Sequence, residues 1–595
     1  MQKERKDIQE QYQWALSKMH TDESWSKQHD EVQKLAKDFQ KYQGKLTKDA
    51  DTLLAALDAM NEIRMKLSDL AAFAQMKRDE NSSVANSVVR SDQSQRLYAE
   101  VSASMAFVNP ELLSVKYDDI KAFMEKNPGL KKYEFSLDEL FRYEKHTLSE
   151  TEERLLSQVN PIFEASYEAF GMLSNLDMQF GTVKLPDGNE LPLTNGSYGT
   201  FMVSKDRDVR KQAYEGLLGE IRAHKNTIAT TLGYSVKTDV LKAKLKNYGS
   251  ALEKVLYPDN VPVSLYKNLI EVINKHVPTL QRYLELRKKM LKLDKLRMYD
   301  MYVPLFEIED ETIPYEKGLD IMREALKPLG EDYLSNMNQG IADGWIDVYE
   351  NKGKRSGAYS FGSYMSMPYI LLNYDNTNRD VFTLVHEMGH SMHSLYARKT
   401  QPFHYAEYSL FVAEVASTVN EGLLANYFLQ HAKSDEEKLY HINMYLEGFR
   451  STIFRQTMFA EFELLIHEAV ENGETLTVDF LCDNYLKLNR KYFGDNVELD
   501  DYISVEWARV PHFYHSFYVY KYATGYSAAT AIVQKILNEG KPAVENYIDF
   551  LKCGGSKYPV DALKIAGVDM SQTGPIESAM KRFEELLNQM EEILK

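Results

Sequence analysis

Apolar residues recur at spacings of three, four and seven along most of this chain, with charged positions between them. Leu53, Leu57, Met60, Leu67 and Leu70 follow that rhythm, and similar patterns run from about residue 25 to 106. The spacing predicts amphipathic helices, each burying one face. Asn109-Pro110 and Asn127-Pro128-Gly129 punctuate the region as turns. A second helical stretch is predicted over 149–176. Ser149 and Glu152 have the form of a capping box at its start, and Pro161, which lacks a backbone N–H, is expected to break it. Two stretches depart from helix. Residues 180–202 carry Pro186-Asp187-Gly188-Asn189 between short apolar runs, the pattern of a β-hairpin turn. Residues 345–374 are rich in Gly, Ser and Tyr and predict short strands near 345–348, 358–361 and 369–373. Helix returns from about 379 and continues to 595 with brief interruptions. The expected fold class is therefore mainly α, with small β-sheet elements just before residue 385.

The stretch VHEMGHSMHSLY, residues 385–396, changes the picture from architecture to chemistry. His386 and His390 are i and i+4, so a helix puts both imidazoles on one face, one turn apart. Glu387 sits one position round, where its carboxylate can reach a water on the same ion. This is the HExxH arrangement of zinc hydrolases. The uncharged neighbours Leu384, Val385, Met388, Ser391 and Met392 predict a buried helix. Gly389 costs about 1 kcal/mol of helix propensity relative to Ala, a cost that close approach of a neighbouring helix would justify.

Such a site needs a third protein ligand and one open position. Residues 411–422, FVAEVASTVNEG, hold Glu414 in an otherwise apolar run. A buried carboxylate there needs a cation or hydrogen bonds. The 24 intervening residues allow one helix to end near Arg398-Lys399, a loop through Pro402, and a helix returning alongside. The alternative for Glu414 is an arginine partner in the core. Glu421, two turns beyond Glu414 on the same face, is placed to hydrogen-bond a ligand histidine. His393 reads as a packed histidine or one that orients Glu414, not a ligand, and His404 as a loop residue. Further on, RVPHFYHSFYVYKYATGYSAAT (509–530) gathers His512, His515, Tyr514, Tyr518, Tyr520, Tyr522 and Tyr526. Their hydroxyls and imidazoles suit an oxyanion, although core packing is the commoner reading of any single tyrosine. If helix begins near 516, Tyr518 and Tyr522 share a face and Tyr520 points elsewhere.

Composition narrows the partners. The 595 residues imply two or three packed regions, and 39 tyrosines permit an aromatic, partly polar cavity. Lys and Arg total 71 against 88 Asp and Glu, a formal net charge of −17. Such a surface argues against nucleic acid and anionic membranes. Solubility is its ordinary reading, and an acidic cavity for cationic ligands the alternative. Cys482 and Cys553 form no CxxC pair, so no disulfide framework is indicated. The charged start MQKERKDIQEQYQW lacks an apolar signal region, and no uncharged run spans a bilayer. A soluble, cytoplasmic protein is expected, its oligomeric state left open.

HEMGH with AEVASTVNE downstream, KRSGAYSFG upstream, PHFYHSFYVYKYATG and CGGSKYPVDALKIAGVDM together resemble the M3 family of zinc metallopeptidases, closest to its oligoendopeptidase F branch. The resemblance runs through most of the chain. It implies a two-lobed helical shell around a deep substrate channel, and oligopeptide substrates. It implies one Zn²⁺ held by His386, His390 and Glu414, with Glu387 as general base. It matches His512 and Tyr520 to the positions that bind the substrate carbonyl, with Tyr518 as the second choice. Gly357, Ala358 and Tyr359, in the strand 357–360, would pair with the peptide backbone. It divides the chain into a helical region 1–112, an oligopeptidase F-type N-terminal domain 113–203 and a catalytic domain 204–595. Two other readings compete. A zinc carboxypeptidase or dipeptidase would need a cationic anchor such as Arg509 or Arg355. A peptide-binding shell without catalysis would have no use for Glu387.

Overall fold

The computed structural model describes residues 3–308 and 312–595; Met1, Gln2 and residues 309–311 lie outside it. It is mainly α, as expected. The helices that matter here are α1 (Asp22–Phe39), α2 (Ala50–Glu80), α3 (Ala85–Met105), α4 (Glu150–Phe163), α5 (Arg207–Leu245), α6 (Val263–Met290), α7 (Asn378–Thr400), α8 (Leu410–His431), α9 (Arg455–Glu471), α10 (Tyr520–Glu539) and α11 (Lys541–Cys553). Five short strands occur among the described residues: β1 (Thr182–Lys184), β2 (Glu190–Pro192), β3 (Ile346–Asp347), β4 (Tyr359–Phe361) and β5 (Tyr369–Leu371). No described helix is long and apolar enough to cross a membrane.

The chain forms two compact units, each assembled from separate segments. The first is Met1–Lys145, Asp310–Tyr427 and Ile532–Val568; the second is His146–Glu309, Phe428–Ala531 and Asp569–Lys595.

In the first unit the predicted apolar faces meet. Trp25, Val32 and Phe39 of α1 pack with Leu53, Leu67 and Leu70 of α2 and Leu97, Val101 and Met105 of α3, and Tyr369 and Leu371 of β5 join this core. Thr21 caps α1 and Asp49 caps α2 through their side chains, supplying acceptors that the first helical N–H groups lack within the helix. The sheet order is β3-β5-β4, parallel between β3 and β5 and antiparallel between β5 and β4. β4 is thus an edge strand. It starts at Tyr359 because Gly357 turns the chain with φ +85°, a conformation glycine adopts without steric cost.

The first residues of the chain strap the other side of this sheet. The Ala15 N–H donates to Gly344 O (2.8 Å), Val348 N–H to Tyr12 O (2.9 Å) and Lys352 N–H to Lys3 O (2.9 Å). Asp347 on β3 is 1 % exposed and pairs with Arg5 at 2.6 Å and Lys354 at 2.7 Å.

In the second unit β1 and β2 form the expected hairpin, with Gly188 at φ +88°. Ser149 and Glu152 make the predicted capping box at the start of α4. Pro161 does not itself interrupt α4, which ends two residues later, at Phe163. The missing N–H of Pro161 leaves the Ser157 carbonyl without its usual helical partner, and the helix stops within the same turn. The segment between α9 and α10 departs furthest from expectation. After a further helix at Val478–Phe493 it runs in 3-10 turns, at Gly494–Asn496, Ile503–Arg509 and Pro511–Tyr514.

Asp347 supplies a test. Burial pushes its carboxyl up, but Lys354 and Arg5 override this and hold it below the usual aspartate range. A folded value below the unfolded one contributes stability that is complete above about pH 4 and fades as pH falls through the folded value. Asp347→Asn strands Lys354 without its carboxylate and is expected to destabilise the fold by about 3 kcal/mol at pH 7. Denaturant melts should show the gap between wild type and variant closing as the solution is acidified below pH 4.

Candidate metal centre

The burial of α7 follows its sequence: Leu384, Val385, Met388, Ser391 and Met392 are all fully buried. Thr377 caps its N-terminus with Asp380 in a capping box. The helix ends at Thr400, a short turn follows at Phe403–Tyr405, and α8 returns alongside. Gly389 is where the two helices touch. A Cβ on it would lie 2.6 Å from Ser417 Cα and 2.7 Å from Ala416 O. Only a hydrogen fits at that distance, which is the close approach its sequence position suggested.

That contact sets the register of three candidate ligand atoms. His386 Nε2 and His390 Nε2 are 3.2 Å apart, and each lies 3.3 Å from Glu414 Oε2. Bonds of about 2.0–2.2 Å in a tetrahedron place neighbouring ligand atoms roughly 3.3–3.5 Å apart, so this donor set fits a zinc ion. Glu421 Oε1 accepts from His386 Nδ1 at 2.7 Å, as expected. That bond fixes the ring with Nε2 towards the cluster. Burial draws the His386 imidazolium down, and Glu414 and Glu421 reverse this, carrying it up to about 10. Hydrogen bonds from His386 and His390 hold Glu414 far below the usual glutamate range. The cluster is built to hold positive charge.

One expectation for Glu414 is corrected. The sequence predicts a buried carboxylate, yet its side chain is 54 % exposed. The apolar run around it belongs to the other faces of α8, where Phe411, Val412, Val415 and Ala416 are buried. Its partners are the two histidines, not a core arginine.

Glu387 is 7 % exposed and burial pushes its carboxyl up. It accepts the backbone N–H of Ser360 on β4. The Ser360 hydroxyl meets that of Ser391 on α7 at 2.8 Å. The edge strand and the HExxH helix are thereby joined at the glutamate, a link that sequence reasoning missed because it runs through a backbone amide. Asn420 was missed as well: its amide donates to Val385 O at 3.2 Å, holding α8 to α7.

His393 is 1 % exposed and stacks on Tyr408 with centroids 3.6 Å apart. Burial pushes it down to about 3, so it stays neutral. It is the packed histidine of the sequence reading. His404 is more firmly held than a loop residue: it donates from Nε2 to Lys132 O (2.8 Å), and its ring lies tilted against that of Tyr133 with centroids 4.5 Å apart. Tyr359 donates to Asp79 at 2.9 Å, and Arg355 lies 3.4 Å from the same carboxylate. Arg509 lies over the Tyr198 ring at 4.6 Å.

In the second unit, Arg455 and Tyr485 each reach the buried Glu506 at 2.7 Å and pin the turns that precede His512. Phe517 has φ +56°, and its N–H donates to Glu463 Oε1 at 2.9 Å. This strained residue delays α10 until Tyr520. Tyr518 and Tyr522 have ring centroids 5.6 Å apart, and His512 stacks on Tyr518 at 5.9 Å; all three are partly exposed. Tyr520 is fully buried, its ring 5.1 Å from Tyr266. The structure thus brings His512 together with Tyr518 and Tyr522 and sends Tyr520 into the core.

Comparison with known proteins shows the family. The family model described as Peptidase family M3 matches residues 200–582, and that described as Oligopeptidase F matches 111–180. The chain is 45 % identical over 592 residues to oligopeptidase PepF of Bacillus subtilis, covering 99 % of this chain and 88 % of that one. It is 39 % identical to group B oligopeptidase PepB of Streptococcus agalactiae, covering 100 % and 99 %. The structure of oligoendopeptidase-F from Enterococcus faecium superposes with a TM-score of 0.74 at 36 % identity, covering 96 % of this chain and 99 % of that one. A peptidase structure from Chlamydophila abortus superposes with a TM-score of 0.94 at 34 % identity over both whole chains.

Gly389→Ala tests the helix contact. It gains about 1 kcal/mol of helix propensity, but forcing a methyl into the contact costs about 1–3 kcal/mol and spreads the ligands. Thermal melts are expected to show lower stability, and dialysis against a weak chelator a faster loss of bound metal than from wild type.

Proposed function

The chain belongs to peptidase family M3 and is a metalloendopeptidase, and from that premise we propose that it hydrolyses internal bonds of short, unstructured oligopeptides with one zinc ion held by His386, His390 and Glu414. The observation that carries this reading is the convergence of two Nε2 atoms and one carboxylate oxygen, all within 4.8 Å of one another, beside a buried glutamate on the same helix. When bound, zinc would polarise the scissile carbonyl and lower the pKa of a water towards neutrality.

The protein's own groups do the rest. Glu387 takes the proton of the attacking water and delivers it to the leaving amine. Its burial raises its basicity, and the Ser360 N–H holds its carboxylate in place. Glu421 keeps the His386 ring oriented. The β4 edge offers backbone groups to an extended peptide, giving affinity with little sequence preference. His512 and Tyr518 are the proposed donors to the carbonyl oxygen; their exposure and mutual stacking favour them over the buried Tyr520.

Metal analysis combined with a mass-spectrometric cleavage map of peptides blocked at both ends tests the reading. One equivalent of zinc and internal cleavage are expected; cleavage only of peptides with a free terminus would favour an exopeptidase instead. Glu387→Gln should keep the zinc and lose most turnover, and retention of wild-type activity would remove the glutamate from its role. Tyr518→Phe should lower kcat by about 10²-fold or more with an unchanged melting temperature. Tyr520→Phe should leave kcat close to wild type.

A further inference from the structure

A cavity of ≈ 770 Å³ lies within the first unit, between the β4 edge, α2, α3 and the start of α8. Its walls are largely apolar and include Leu67, Val101, Met105, Phe361 and Phe403. Three charged side chains line it: Arg64, Arg398 and Glu407. A chain of net charge −17 thus encloses a pocket with an excess of positive charge, the reverse of the acidic cavity that composition suggested.

Arg398 sits in the last turn of α7. A cation there suits the helix dipole, but the dipole does not explain why the guanidinium is buried. Its side chain is only 10 % exposed, and Nη2 meets Glu407 Oε1 at 3.5 Å, a carboxylate whose own side chain is 76 % exposed. Nε and Nη1 are buried without a hydrogen-bond partner. Unpaired buried donors on a charged group are costly. The chain is also shaped around this group. Gly362, which ends β4 with φ +151°, leaves room that a Cβ would take: it would lie 3.0 Å from Arg398 Nη1 and 2.8 Å from Met367 O.

The cavity is continuous with the catalytic strand. Ser360, whose N–H binds Glu387, also lines the pocket, as do Phe361, Gly362 and Ser363. A peptide extended along β4 turns alternate side chains to one side, and its stem would lie against the apolar wall. Resting on the peptidase reading above, we propose that this cavity is a side-chain subsite for an acidic residue of the substrate peptide, whose carboxylate accepts hydrogen bonds from Arg398.

The test uses doubly blocked peptides that differ only by Glu or Gln at one position, scanned along the sequence. Wild type should cleave the Glu peptide with kcat/KM about tenfold higher or more at one position, the range of a charge-assisted hydrogen bond. Arg398→Gln should bring that ratio close to one, and Glu407→Gln, which frees Arg398 from its rim partner, should raise it. If Arg398→Gln fails to fold, the wild-type scan and Glu407→Gln decide the matter. Calorimetric titration of the same peptides into Glu387→Gln reads binding apart from turnover. A tenfold ratio in Kd without any hydrolysis by wild type would support the subsite while removing the peptidase reading. Hydrolysis with Glu and Gln equivalent at every position would overturn the subsite and leave the peptidase reading intact. A preference that appears only when the C-terminal carboxylate is free would also overturn it.

Discussion

The contact between Gly389 and the backbone of Ala416 and Ser417 is the constraint on which the site depends. Two helices separated by the usual side-chain layer would hold Glu414 too far from the histidines to share one ion. With nothing but a hydrogen between them, carboxylate and imidazoles come within about one ligand–ligand distance of a tetrahedral metal. The amide of Asn420 reaching Val385 O reinforces the same contact. Ligand geometry here is a property of backbone packing, and the side chains inherit it.

A second set of bonds links the ligand helix to the sheet. The amide of Ser360 and the paired hydroxyls of Ser360 and Ser391 fix β4 against α7. The group proposed to move the proton and the edge proposed to hold the peptide are therefore parts of one rigid element. A carboxylate that is buried, held by one N–H and close to a cationic centre is preorganised for its task, so little rearrangement is needed during reaction.

The local parts of this arrangement were legible in the sequence, because they depend on helical spacing alone. His386, Glu387, His390 and Glu421 fall where periodicity put them, and the small sheet was visible in its glycines and tyrosines. Glu414 was found through a mistaken premise: apolar neighbours in sequence belong to other faces of a helix, so they do not bury the residue between them. The tyrosines of 514–526 were not resolvable by pattern. The start of α10 depends on the positive φ of Phe517 and on Glu463, which comes from a helix fifty residues earlier. Arg398 gave no signal, since a basic residue in the last turn of a helix is ordinary. Its burial arises only in the folded chain, where Gly362 at the end of β4 lies against the guanidinium.

The strap made by residues 3–15 has its own consequence. Tyr12 and Lys3 complete backbone pairing on the far side of the sheet, and Arg5 neutralises Asp347 beneath it. The sheet that carries β4, the edge proposed to hold a peptide, is therefore buttressed by chain synthesised more than three hundred residues earlier. A protease that nicked this segment, or a fusion partner that pulled on it, would act as a remote lever on β4 without touching His386, His390 or Glu414. Nascent chains would also keep that leading segment waiting for its sheet until the middle of the polypeptide had been made.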